Sequence, residues 1–322
     1  MRRLIFSLLS VLLLASCAPS VTNIILLPDT QTYAEKYPEV LDSQINWIIK
    51  EQKNIDFIVQ QGDLTQNNNE REWKIIKNAF DKIDGVKPFI LAAGNHDMGS
   101  ADGKFADVRN TMQFNQFFPA SYFSKHAEFG GTFEEGKSEN IYFLINAGKI
   151  KWLIISLEFG PRNSVLDWAN GIAKKYGDRL AILNTHSYMY SDNTRQGVGD
   201  NWRPQNYGVG KDSGENAVND GEQIWEKLVK VNPAIRFVFS GHILNGGVGT
   251  LTSENVNGDL VYQMLANYQE GVKGSIKGGN GWLRQISINR KTNKITVKTY
   301  SPYLNEFMTS PAHQFEFTNF KR

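Results

Sequence analysis

Apolar runs in this chain end, one after another, in short polar clusters. NIILLP (23–28) runs into Asp29-Thr30-Gln31, the run at 56–60 into Gly62-Asp63, and the run at 88–92 into Gly94-Asn95-His96-Asp97. LAILNT precedes His186, and IRFVFS precedes Gly241-His242. Short apolar runs bounded by turn residues predict buried strands. Between the first three runs, Leu41, Ile45, Ile48 and Ile49 share one helical face within 40–53. Trp73, Ile76, Phe80 and Ile83 share another within 69–83. The order β-α-β-α-β predicts a parallel sheet with helices on its faces, and such sheets place their sites beyond the carboxyl ends of the strands.

A polar, glycine-containing stretch (98–140) follows. Strands are then predicted at 141–146 and 151–157 around the turn Ala147-Gly148-Lys149, a helix near 164–176 and a strand at 180–184. A helix near 220–231 and a strand at 235–240 come next. The tail reads as β at 260–265, 283–288, 294–299 and 313–318, with a turn at Arg290-Lys291-Thr292-Asn293. No repeat or linker interrupts the pattern, so one domain over 23–322 with two sheets is expected. Segment 187–218 shows no periodicity and directly follows His186. Stretches of that length are functional or disordered. Trp202, Arg203, Tyr207 and Lys211 are its candidate substrate contacts.

The N-terminus departs from this pattern. Arg2-Arg3 precede an apolar stretch, Leu4 to Leu14, too short to span a bilayer as a helix. Leu14-Ala15-Ser16-Cys17 resembles the lipobox of bacterial lipoproteins. That resemblance implies a signal peptide over 1–16, lipidation of Cys17, a short tether over 17–22, and residence in the bacterial cell envelope on the periplasmic or cell-surface side. Cys17 is the single cysteine of the 322 residues, which excludes an intrachain disulfide or a multi-cysteine metal site. Loss of Arg2 and Arg3 would bring the 35 basic side chains level with the 33 acidic ones. A near-neutral chain argues against nucleic acid as a partner.

The chemistry sits in the polar clusters. Asp29, Asp63, Asn95, His186 and His242 offer the carboxylate, amide and imidazole ligands that hard or borderline divalent metals take. Gly62, Gly94 and Gly241 stand where tight turns would aim the next side chain at the site. Glu158, Arg162 and Asn267-Tyr268-Gln269 also follow apolar runs and are weaker candidates.

In their order, these clusters resemble the calcineurin-like metallophosphoesterases over about residues 23–245. The resemblance implies an α/β/β/α sandwich of two sheets between outer helices and a monomeric, metal-dependent hydrolase of phosphate mono- or diesters. It implies one or two divalent ions (Mn, Mg, Ca, Zn or Fe), with Asp63 bridging. Asn95, His186 and His242 would complete one site, and Asp29 and Gln31 would belong to the other. His96 would be the acid, oriented by Asp97, while Arg162, Arg203 and Asn245 are candidate substrate contacts. Two departures stand out. Gln31 occupies a position where the family usually has His, and Gly241-His242-Ile243-Leu244 lacks the second His of Gly-His-x-His. This erosion keeps open a second reading, a non-catalytic binding or scaffold lipoprotein.

Overall fold

The computed structural model describes residues 20–318 and Phe320; the predicted signal segment and Cys17 lie outside them. The strands among the described residues are β1 (Val21–Leu27), β2 (Phe57–Gln60), β3 (Phe89–Ile90), β4 (Phe129–Thr132), β5 (Ile141–Ala147), β6 (Ile150–Leu157), β7 (Leu180–Thr185), β8 (Ile235–Ser240), β9 (Val248–Glu254), β10 (Leu260–Ala266), β11 (Leu283–Asn289), β12 (Lys294–Ser301), β13 (Glu306–Met308) and β14 (Gln314–Phe317). The helices are α1 (Gln31–Glu35), α2 (Pro38–Glu51), α3 (Glu70–Asp81), α4 (Met112–Phe117), α5 (Ala120–Phe123), α6 (Asn163–Lys175) and α7 (Gly221–Ile224).

Two seven-stranded sheets result. The first runs β13-β12-β11-β1-β2-β3, with β14 also on β12, and the second runs β4-β5-β6-β7-β8-β10-β9. Each contains a parallel block. β1, β2 and β3 are parallel in the first, and β6, β7, β8 and β10 in the second.

The alternation of side chains along the second sheet sorts the core. Trp152, Ile154, Ile182, Phe237, Phe239 and Met264 face the first sheet. Their neighbours Leu153, Ile155, Ala181, Leu183 and Val238 pack instead with Val165, Leu166, Ala169 and Ala173 of α6 and with the α7 segment. Helices α2 and α3 cover the other side of the first sheet through Ile45, Ile48, Trp73 and Ile76. The layers are therefore α/β/β/α. Between the sheets, the Phe57 and Trp152 rings lie 6.0 Å apart, and Trp152 Nε1 donates to Thr22 Oγ1 at 3.2 Å.

Towards the carboxyl ends of the strands the inter-sheet contacts turn polar. Ser156 Oγ donates to the Leu91 carbonyl (2.8 Å), Asn184 Nδ2 to the Gln60 carbonyl (2.9 Å) and Gln61 Nε2 to the Ser240 carbonyl (2.5 Å). These cross-ties fix the two sets of strand ends against each other.

The polar stretch 98–140 is more ordered than its composition predicts. It holds α4, α5 and β4, anchored where Phe114 meets Trp73 edge-on at 5.7 Å. Elements of four to six residues are too short to show a hydrophobic period. The helix predicted at 220–231 is one α turn continued by a π-helical turn, Trp225–Val229. β9 is a half-exposed edge strand that the apolar pattern misses.

Candidate active site

Five strand ends converge. Asp29, Asp63 and Asn95 follow β1, β2 and β3 of the first sheet, and His186 and His242 follow β7 and β8 of the second; all five side chains are buried. Backbone geometry aims them. Gly62 (φ 98°) and Asp63 (φ 49°) both take left-handed conformations, as does His242 (φ 72°). Such a conformation costs a non-glycine residue about 1–3 kcal/mol and persists only where the surroundings impose it. The other two glycines serve by being small. A Cβ on Gly94 would stand 2.1 Å from Asp63 Oδ1, and one on Gly241 would stand 2.0 Å from Asp29 Oδ1.

Ligand atoms of Asp63, His186 and His242 all lie within 4.8 Å of one another. His186 Nε2 stands 3.1 Å from both Asp63 Oδ2 and Asn95 Oδ1. Each imidazole is held at its other nitrogen by a backbone carbonyl. His186 Nδ1 meets the Gln61 carbonyl at 2.8 Å, and His242 Nε2 meets that of Trp202 at 2.7 Å. A carbonyl acceptor fixes the ring orientation and directs the remaining nitrogen to the place a cation would take.

Two carboxylates and two imidazoles share the charge of the site. Burial alone would lower His186, but Asp63 and Asp29 push it up to about 9. Burial and the neighbouring His186 hold His242 down to about 3. For Asp63 burial acts upward, yet His186, His96 and His242 together take it below the usual carboxylate range. Burial raises Asp29 well above that range, opposed by His186 and reinforced by Asp63. Asp29 Oδ1 and Gln31 Oε1 are buried oxygens without a hydrogen-bond partner. Bare buried oxygens beside carboxylates and imidazoles fit divalent cations.

His96 opens onto the cavity beside this cluster. The space measures about 490 Å³, and Gln31, Asp63, Asn95, Phe105, Trp202, Tyr207, His242, Leu244 and Gln269 are also among its walls. The backbone N–H of His96 donates to Asp63 Oδ1 at 2.9 Å, its Nδ1 meets the Gln66 carbonyl at 2.7 Å, and its ring lies 3.9 Å from that of Phe105.

The expected Asp97–His96 pairing is corrected here. Asp97 instead accepts from the backbone N–H groups of Leu64, Thr65 and Gly94 and from the Thr65 hydroxyl, at 2.9–3.0 Å. It braces the two loops that carry Asp63 and Asn95. Burial and the charge of Asp63 raise it to about 6.

The three candidate substrate contacts are corrected too. Arg162 is bound by Glu158 (2.9 Å) and Glu134 (3.0 Å), and Arg203 by buried Asp220 (2.5 Å). Neither arginine is in the cavity wall. Asn245 is exposed and donates to Ser191 Oγ at 3.3 Å, away from the position that Leu244 leaves without a ligand. Trp202 and Tyr207 do line the cavity, whereas Lys211 does not. Phe105 and Gln66 were missed because neither follows a strand. Gln269, at the end of β10, donates its amide to Asp29 Oδ2 at 3.0 Å.

The family model for calcineurin-like phosphoesterases matches residues 22–246. This chain belongs to that family. The Asp63–His186–His242 triad fits a divalent metal ion. Among curated relatives, the uncharacterized protein YvnB of Bacillus subtilis (strain 168) is 29% identical over 299 residues. The match takes in 90% of this chain but 20% of YvnB, so the chain spans a fifth of that relative's length. Among solved structures, a purple acid phosphatase from yellow lupin (Lupinus luteus) seeds shares the fold with a TM-score of 0.53 at 13% identity, covering 93% of this chain and 55% of its own. A 5'-nucleotidase precursor from Thermus thermophilus matches at 11% identity with a TM-score of 0.43, covering 90% of this chain and 53% of its own.

Proposed function

We propose that this calcineurin-like phosphoesterase hydrolyses a phosphate mono- or diester in the cell envelope, tethered by a lipid on Cys17. The observation that carries the hydrolytic reading is the convergence of Asp63, Asn95, His186 and His242 on one point, with His96 beside it on an open cavity. Divalent cations there supply Lewis acidity to the phosphoryl oxygens and an activated water as nucleophile. Asp63, Asn95, His186 and His242 would hold one cation, and Asp29 and Gln31 would take part in a second position.

His96 acts at the leaving group. Its Nδ1 is engaged by the Gln66 carbonyl, so Nε2 is the nitrogen presented to the cavity, and a proton there passes to the departing oxygen. Phe105 against the ring limits its rotation. The aromatic walls Trp202 and Tyr207 suit an apolar or ring-bearing substituent.

The envelope location rests on the Arg2-Arg3, Leu4–Leu14 and Leu14-Ala15-Ser16-Cys17 pattern. Metal analysis of the chelator-stripped and reloaded protein, with turnover of aryl phosphate mono- and diesters, tests the hydrolytic reading. Metal-dependent turnover is expected, and a fully loaded protein inactive on both ester classes would leave the binding or scaffold alternative. Metabolic labelling with a fatty-acid analogue tests the anchor: label is expected on the native chain and absent from C17S.

A further inference from the structure

The carboxylate of Asp29 is used unequally. Oδ2 accepts two hydrogen bonds, from the backbone N–H of His242 (3.0 Å) and from Gln269 Nε2 (3.0 Å). Oδ1, equally buried, accepts none, and Gly241 has no side chain to cover it. Gln31 Oε1 is a second buried oxygen without a partner, on a side chain that lines the same cavity as Asp63. The sequence offers no imidazole at position 31 or 244. Leu244 takes the cavity-facing place two residues beyond His242.

Gln269 is itself firmly set. Its backbone N–H donates to Asn267 Oδ1 (3.0 Å), and Asn267 Nδ2 donates to the Ile243 carbonyl (3.3 Å). The end of β10 is thereby tied to the loop that carries His242. With Nε2 on Oδ2, the amide fixes the rotation of the Asp29 carboxylate and turns the bare Oδ1 away from its own donors.

We infer that the position beside Asp29 is an all-oxygen site for a hard divalent cation such as Mg²⁺ or Mn²⁺, made by Asp29, Gln31 and Asp63, with Gln269 as its positioning residue. The adjoining position, made by Asp63, Asn95, His186 and His242, contains two imidazoles and suits borderline ions such as Zn²⁺. The two halves of the centre therefore differ in metal preference. This rests on the metal-dependent reading above, but it is tested through binding rather than turnover.

Chelator-stripped full-length protein is titrated with Mn²⁺, with free Mn²⁺ followed by electron paramagnetic resonance, and separately with Zn²⁺ by calorimetry. The wild type is expected to take two equivalents of Mn²⁺ but one equivalent of Zn²⁺ tightly. Q269A should weaken the second Mn²⁺ equivalent by about tenfold or more, an allowance for a lost outer ligand contact, and keep the first. Retention of that first equivalent also reports that the variant is folded. L244H, which adds an imidazole at the cavity wall, should admit a second tight Zn²⁺.

An unchanged second Mn²⁺ equivalent in Q269A overturns the role of Gln269. Loss of both equivalents in that variant does so too, because it makes the residue a support of the whole centre. Two tight Zn²⁺ in the wild type overturn the all-oxygen site. A single equivalent of every metal overturns the second position altogether, while turnover in the singly loaded protein would leave the hydrolytic reading standing.

Discussion

Three imidazoles meet in this site, and three backbone carbonyls set their roles. Gln61 and Trp202 each occupy one nitrogen of His186 and His242, and Gln66 occupies Nδ1 of His96. The first two rings turn their free nitrogens towards Asp63, whereas the third turns its own to the cavity. This division predicts that His96→Ala lowers turnover by about 10²–10⁴ while bound metal, measured by elemental analysis, stays at the wild-type level. Alanine keeps the backbone N–H that donates to Asp63 Oδ1. The loss should be largest for alkyl esters and smallest for nitrophenyl esters, whose leaving oxygens need little protonation. An equal loss across that series would remove the acid role.

At the scale of elements, the segment 187–218 changes character once its contacts are known. A bridge from Val218 to Arg162 ties it down, Met189 pairs with Arg195 within it, and the Trp202 carbonyl reaches His242. Arg203 secures it through Asp220, which also accepts from Gln223 N–H at the start of α7. Removing one partner of a buried pair costs about 3–5 kcal/mol. Arg203→Ala is therefore expected to lower the melting temperature measured by circular dichroism, and to weaken metal retention through Trp202. A variant with unchanged melting temperature and a raised KM would instead return Arg203 to the substrate.

These contacts also mark where sequence reading stopped. Asp29, Asp63, Asn95, His186 and His242 stood out because each ended an apolar run, and the convergence of those runs was legible from the βαβ order. The carbonyls of Gln61, Gln66 and Trp202 were not, since every residue has one. Arg162 and Arg203 looked available to a substrate because two of their carboxylate partners, Glu134 and Asp220, are set by tertiary contact. Asp97 was paired with the wrong neighbour for a related reason. Adjacency in sequence pointed to His96, but the short 3₁₀ turn Asn95–Asp97 directs the carboxylate back at the Leu64 and Thr65 amides.

For the whole molecule, the interface between the sheets decides stability. Trp152 is fully buried there, against Phe57 and Phe237. Trp152→Ala should cost about 3–5 kcal/mol, read from urea unfolding as a lower midpoint at unchanged slope. The ligands straddle the same interface. Asp29, Asp63 and Asn95 come from one sheet, His186 and His242 from the other. Cation held at a hundred times its dissociation constant should thus stabilise the fold by about 2.7 kcal/mol. Chelation is expected to lower the melting temperature accordingly. Apo and loaded proteins melting together would show that no cation bridges the sheets.

Cross-ties such as Gln61 to Ser240 already close that seam with neutral hydrogen bonds, and an ion would act on it as a rivet. Rivets are supplied by the surroundings. The rate at which the two sheets part would then follow the free divalent metal outside the protein, and so would resistance to proteolysis. A metal-starved environment would shorten the lifetime of the protein as well as silence it, tying how much protein persists to the same ion that lets it work.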